Sequence, residues 1–371
     1  MAAITAGKTH QQKREEEVFI ATQWTLMWRK FYKHKLAMFG TAVVVLFYVI
    51  AIFCEFIATG DPLARNTQLI HLPPQKIHLF GSHGFGPFVY GLKAEDDPKT
   101  WRRIYVEDTS VEHPVRFFVK GDRYRLWSLI EWDRHLFGVP DAPFHPLGTD
   151  DSGRDLFSRV MYGIRVSVSI GLVGVIFTFI LGSVIGAISG YYGGAVDFMI
   201  QRIIEFILSI PSIPLWMALS AAVPRNWPST WVYFAISIIL SLIGWCGLAR
   251  VVRGKMLEIR EENYITASKL AGASDAWIIF DHMLPGFISY LIVSLTLSIP
   301  GMILAETALS FLGLGLRPPA ISLGVLLQQA QNINTISLYP WLMIPGVFIF
   351  IIVLAFNFMG DGLRDAADPY K

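Results

Sequence analysis

Few residues in this chain have the type and spacing for chemistry, and each group suits structure better. His71, His78 and His83 lie close in sequence, but their spacings fit no standard metal site and no cysteine accompanies them. Cys54 and Cys246 sit inside apolar runs without a Cys-x-x-Cys neighbour. That pattern points to core packing rather than metal or redox work, and leaves the redox compartment open. Glu205 and Glu306 sit near the ends of apolar stretches. An acid inside a membrane is a proton-relay candidate by default, whereas one at a span end is cheaply hydrated or paired. No buried basic ladder accompanies them, and no two halves repeat a broken-helix pattern, which argues against a proton-coupled carrier. The sequence contains no G-x-x-x-x-G-K-[ST] phosphate loop, H-E-x-x-H, G-x-S-x-G or post-strand G-x-G-x-x-G. The chain is therefore expected to be no enzyme, with no catalytic, cofactor-binding or metal-binding residues of its own.

The elements that must carry these residues are apolar. Of 371 residues, 53% are hydrophobic and only 16% charged, with mean hydropathy +0.46; a soluble domain of this length carries more charge. The net charge of +2 is too small to imply a nucleic-acid partner. Crossing a bilayer takes about 20 apolar helical residues, and six stretches qualify: Leu36–Ala58, Val166–Ile188, Ile203–Val223, Trp231–Leu248, Phe287–Ala305 and Trp341–Phe358. The third contains Pro211 and Pro214. Such prolines free backbone carbonyls that neighbours or water must satisfy, so this span is expected to be kinked. The chain reads as an all-α membrane protein with about six transmembrane helices and membrane lipid as its surroundings.

Lysine and arginine orient it. Lys8, Lys13, Arg14, Arg29, Lys30, Lys33 and Lys35 precede the first span, and Arg202, Arg250, Arg253, Lys255, Arg260, Lys269, Arg364 and Lys371 fall on the same side. The short loops opposite hold only Arg225 and Arg317. This bias places both termini in the cytoplasm; the long segment after the first span is not counted, because long loops translocate regardless of charge. No cleavage site follows the apolar run, which is too long for a signal peptide, so the first span is expected to remain as an anchor. The expected organisation is a cytoplasmic tail 1–35, a first helix 36–58, a small external insertion 59–165, a membrane core 166–358 with a cytoplasmic loop 249–286, and a cytoplasmic tail 359–371. The insertion is rich in aromatic, proline and charged residues. A folded cap is expected there, with a strand at Val115–Lys120 and a short amphipathic helix at Tyr124–His135.

The most specific pattern lies in the 249–286 loop, which reads EENYITASKLAGASDAWIIFDHMLPG from Glu261 to Gly286. Tyr264, Ala267, Ser268 and Ala271 recur at helical spacing on one face, and three of the four are small. Gly272 stands where a left-handed residue commonly closes a helix. Ala273 follows it, Ser274 is placed to cap the next helix, and Asp275 adds favourable charge at its start. Pro285 marks where that helix gives way to the fifth span. This loop resembles the EAA loop of binding-protein-dependent ABC importer permeases: E-A-A, three residues, Gly, nine residues, Ile, one residue, Leu-Pro. Thr266, Ala267 and Ser268 stand at the E-A-A positions, Gly272, Leu284 and Pro285 match, and His282 replaces Ile. The acid of the triplet is lost.

HPLGTDDSGRDLFSRVMYGIRVSVSIGL (His145–Leu172), ETALSFLGLGLRPP (Glu306–Pro319) and NFMGDGLRDAADP (Asn357–Pro369) resemble segments of the dipeptide/oligopeptide group, which also takes opines and nickel. The likeness covers about 145–371 plus the first span, and is to the second permease type of that group. It implies a permease subunit of the bacterial inner membrane that pairs with a second, different permease chain. It further implies two ABC ATPase subunits holding ATP and Mg, and an extracytoplasmic solute-binding protein. Di- or oligopeptides are the expected cargo; oligosaccharides, opines, nickel chelates and modified peptides are alternatives within the group. An ATP-independent channel or secondary transporter is the alternative outside it.

Overall fold

The computed structural model describes residues 23–81, 84–96, 98, 103–140 and 142–367. Lys8, Lys13, Arg14, His83 and Lys371 lie outside the described residues. Helix α1 (Gln23–Lys33) is separated from α2 (Lys35–Ile52) by His34, whose Nδ1 accepts from Ala37 N at 3.1 Å and caps the second helix. A short α3 (Cys54–Ile57) leads into the insertion, which is built of strands rather than helices. β1 (His78–Gly81), β2 (Gly84–Asp96) and β3 (Arg103–Pro114) form one antiparallel sheet; β4 (Arg116–Leu126) and β5 (Ile130–Gly138) form a separate hairpin. Lys93 on β2 reaches Asp108 on β3 at 2.7 Å; with the Ser110 hydrogen bonds it holds that carboxyl at about 2.

Tyr124–His135, expected as a helix, is the end of β4, a turn at Trp127–Leu129 and most of β5. Trp127 and Ser128 take positive φ angles of 52° and 62°, which reverses the chain. Tyr124 then faces Trp132, Leu126 faces Ile130, and Arg125 pairs with Glu131 at 2.8 Å. Cross-strand aromatic and charge pairs of this kind stabilise a hairpin. The expected strand at Val115–Lys120 falls largely within β4.

The membrane part is helical. Helix α4 (Leu156–Tyr192) starts ahead of the boundary expected at 165, capped by Asp155, whose carboxylate accepts from Ser158 N at 2.6 Å. α5 (Gly194–Ser209), α6 (Ser212–Ala221), α7 (Ser229–Arg260) and α8 (Asn263–Leu270) follow. Next come α9 (Asp275–Trp277), α10 (Ile288–Phe311), α11 (Leu323–Gln328), α12 (Ile333–Leu338) and α13 (Ile344–Ala367). Among the described residues, five helical runs are long and apolar enough to span: α2, α4, α7, Asp275–Phe311 and Pro340–Ala367. The third expected span is more than kinked: α5 and α6 meet at 86°. Ile210 precedes a proline and sits in the extended region, as the proline ring demands of its neighbour. At the other end α13 continues helical to Ala367, where a tail was expected from 359.

Charges buried where the insertion meets the helices are paired, as burial requires. Asp150 is fully buried, accepts from Arg154 Nε at 2.7 Å and contacts the buried Arg159. Arg165 on α4 donates to Ala51 O at 2.7 Å and clasps Glu55 of α3, which fixes the far end of α2 against α4.

The most extensive contact between helices is that of α4 with α7. Gly182, Gly186 and Gly190 form a stripe on α4. A Cβ at these positions would meet Leu248 Cβ at 2.8 Å, Ala249 O at 2.5 Å and Arg253 O at 2.8 Å. Lipid tails provide no hydrophobic drive for helix association, so small residues that let backbones approach supply the packing. Replacing Gly186 with Val should force the helices apart at a cost of about 1–3 kcal/mol, and so lower the thermal unfolding midpoint of the detergent-purified protein. Gly247→Ala, with nothing within 4 Å of the added carbon, should not lower it, since alanine favours a helix over glycine; equal midpoints for both variants would contradict this packing.

Candidate coupling site

The loop between α7 and α10 is a compact structure held on the membrane helices. α8 closes in a two-bond C-terminal turn: Gly272 N donates to Lys269 O at 3.0 Å and Ala273 N to Ser268 O at 3.1 Å. This pairing needs a left-handed residue at the first of the two donors, and that residue, Gly272, has φ +83°. Ser274 caps the next turn, its hydroxyl accepting from Trp277 N at 3.4 Å, with Asp275 in the first turn. A wide π turn (Ile278–Met283) and a 3-10 turn (Leu284–Phe287) containing Pro285 then lead into α10.

One side of this turn is anchored. Ile265 and Ile278 are completely buried and join Met283, Tyr191, Val252 and Met256 in one apolar cluster. Tyr191, at the end of α4, donates its hydroxyl to Asp275 Oδ1 at 2.6 Å, and Lys269 lies 4.7 Å over its ring. The turn is therefore fixed to α7, from which it continues, and to α4, against which it packs.

The other side is open. Tyr264, Thr266, Ala267, Gly272, Ser274 and Pro285 are exposed, whereas Ser268, Ala273 and Leu284 are half-buried. The expected face of Tyr264, Ala267, Ser268 and Ala271 is thus largely outward, with Ser268 turned partly inward and donating to Tyr264 O at 2.8 Å. His282, at the place of an aliphatic residue, packs edge-on against Trp277 at 4.1 Å. Sequence reasoning missed three large apolar residues on this side: Leu270 (86% exposed), Phe280 (52%) and Trp277 (46%). Their signal was present, because apolar residues flank a polar, glycine-closed turn. Large apolar side chains held in water on a rigid turn are the features of a protein-docking patch.

Two of the histidines singled out in the sequence pack on aromatic rings. His71 stacks on Tyr339 at 3.9 Å and His78 lies 4.9 Å from Tyr90. Among the described residues no three His, Cys, Asp or Glu side chains converge on a possible metal position.

A family model described as "Binding-protein-dependent transport system inner membrane component" matches residues 182–370, and one described as "N-terminal TM domain of oligopeptide transport permease C" matches residues 22–74. The dipeptide transport system permease protein DppC of Lactococcus lactis is 32% identical over 92% of this chain and 89% of its own length. The chain belongs to the binding-protein-dependent permease family. The oligopeptide transport system permease protein OppC of Bacillus subtilis is 36% identical over 66% of this chain and 77% of its own length. A chain of the solved MetNI methionine ABC transporter is 20% identical, covers 56% of this chain and 96% of its own length, and has a TM-score of 0.44. This permease is a multi-pass inner-membrane subunit of an ABC importer. Residues 75–181, most of the insertion among them, lie outside both family models.

Of the two acids singled out in the sequence, Glu205 is hydrated and paired as expected at a span end, and Glu306 is not. Glu205 pairs with Arg202 at 2.8 Å and is half in solvent. Glu306 was expected near a span end but is completely buried within α10. Its two oxygens accept from Ser167 of α4 at 2.9 Å and Ser310 at 2.8 Å. The same serine hydroxyls accept backbone N–H groups of Leu323 and Leu316. Glu306 therefore ties α4, α10 and the segment before α11 together, as the hub of a satisfied polar network. Glutamine can still accept one hydroxyl and donate to the other, so Glu306→Gln should retain ATP-driven uptake. Glu306→Ala strands both hydroxyls and should lower the amount of assembled protein, with a cost of about 1–3 kcal/mol. A Glu306→Gln variant that inserts normally but transports nothing would instead mark a proton relay.

Proposed function

We propose that this permease forms half of a translocation path for di- or oligopeptides, pairing with a second, different permease chain. In this reading an extracytoplasmic solute-binding protein delivers the cargo, and two ATPase subunits, holding ATP and Mg, dock on the cytoplasmic loop 249–286. The lysine and arginine bias supports cytoplasmic termini and an external insertion. The names of the relatives, dipeptide and oligopeptide permeases, support the cargo class.

The observation that carries the docking assignment is the two-sided character of the turn. Ile265 and Ile278 are buried in the membrane part while Leu270, Tyr264 and Trp277 face outward. A patch held this way moves only with α4 and α7. Closure of a partner that grips it would be transmitted as rigid-body motion, without being absorbed in a flexible loop.

Gly272 allows a test that spares the fold. Nothing lies within 4 Å of a Cβ placed there, so a substitution costs only the backbone strain of a positive φ, about 1–2 kcal/mol. Gly272→Val should insert at near-normal levels, yet lose cargo-stimulated ATP hydrolysis or release the ATPase chains from the purified complex. Full stimulation and full peptide uptake in reconstituted Gly272→Val complexes would overturn the coupling role.

A further inference from the structure

The β4–β5 hairpin does not stand away from the membrane helices. Trp127, in its turn, donates its indole N–H to the carbonyl of Ile52 at 2.8 Å. Ile52 is the last residue of α2, so the hairpin tip sits level with the end of a membrane span. Two further contacts hold it there. Phe53 packs against Trp127 at 5.8 Å, and Phe56 stacks on Trp132 at 5.7 Å.

What the tip presents outward is apolar. Leu129 is 82% exposed and Ile130 54%, with both tryptophans more than two-fifths exposed. The adjoining outer face of α2 is apolar too: Val45, Leu46, Val49 and Ile52 are all exposed. An apolar face of this kind on a membrane-spanning helix suits lipid, and the hairpin tip adjoins its end through Trp127 on the Ile52 carbonyl. Tryptophan with its N–H engaged and its ring in an apolar surround is the residue type that collects at the membrane–water boundary. Within residues 116–138 Arg125 pairs with Glu131 and Lys120 with Asp133, which leaves Arg116, Arg123 and Arg134 against Asp122, a small basic excess compatible with phosphate headgroups.

We propose that the tip of the β4–β5 hairpin is seated in the headgroup and upper acyl region of the lipid leaflet beside the end of α2, as a second membrane anchor for the insertion. The anchor fixes the height and rotation of the insertion over the translocation path. It also explains why apolar side chains crowd a turn that water alone would disfavour. This inference concerns the insertion, most of which lies outside both family models, and does not depend on the cargo or on the ATPase contact.

The test is a nitroxide at position 129. Leu129→Cys and, separately, Ser110→Cys on β3 are introduced where Cys54 and Cys246 have been replaced by Ala. Each is spin-labelled in the full transporter, in nanodiscs of phosphatidylcholine and phosphatidylglycerol. Collision with dissolved oxygen is compared with collision with a water-soluble nickel chelate. The proposal expects an oxygen-to-nickel ratio at 129 several-fold above that at 110. A ratio equal to that at 110 would place the tip in water, and a label shielded from both reagents would place it against another protein chain; either result overturns the lipid anchor.

Discussion

The contact on which the rest of the structure depends is the backbone approach of α4 and α7. Gly182, Gly186 and Gly190 remove the side chains that would keep the two helices apart, and Ala249 and Arg253 carbonyls fill the space. In lipid this packing has to come from surface fit and van der Waals contact. The two helices thereby become one body, and both ends of that body are used. One end carries the buried Asp150, Arg154 and Arg159 cluster and the Arg165 clasp on Glu55. The other carries the turn closed by Gly272, continuous with α7 and bonded to Tyr191 of α4.

This arrangement gives a physical path from the turn between α7 and α10 to the membrane core. Ile265 and Ile278 hold the turn on the α4–α7 body through apolar contact, and Asp275 and Lys269 fix its direction around Tyr191. Above it, Glu306 links α4 to α10 and to the segment leading into α11 through two serine hydroxyls. Displacement of the turn would thus be passed through packed side chains and satisfied hydrogen bonds. The break between α5 and α6 at Ile210 and Pro211 is the main discontinuity in the helical frame.

Much of this was legible in the sequence because it rests on local rules. Span lengths follow from apolar runs, and the turn at Gly272 follows from a glycine after a helical pattern and a serine before the next. The family likeness lay in the segments around Gly272, Glu306 and His145. What was not legible depends on tertiary contact. Glu306 looks like a span-end acid until Ser167, far away in sequence, is placed against it. Tyr124–His135 has the period of a helix, but Trp127 and Ser128 turn left-handed and the pairing of Tyr124 with Trp132 overrides that pattern. The outward turn of Leu270 and Trp277 depends on which face Ile265 and Ile278 bury.

The central claim, that the Glu261–Pro285 turn is the surface gripped by the ATPase subunits, is tested most directly by photocrosslinking from Leu270, its most exposed large side chain. A benzoylphenylalanine placed at 270 in the assembled transporter should yield on irradiation a covalent adduct of one permease and one ATPase chain. An ATPase that co-purifies with the complex yet forms no adduct from 270, while the probe reacts only with lipid or the second permease, would contradict it.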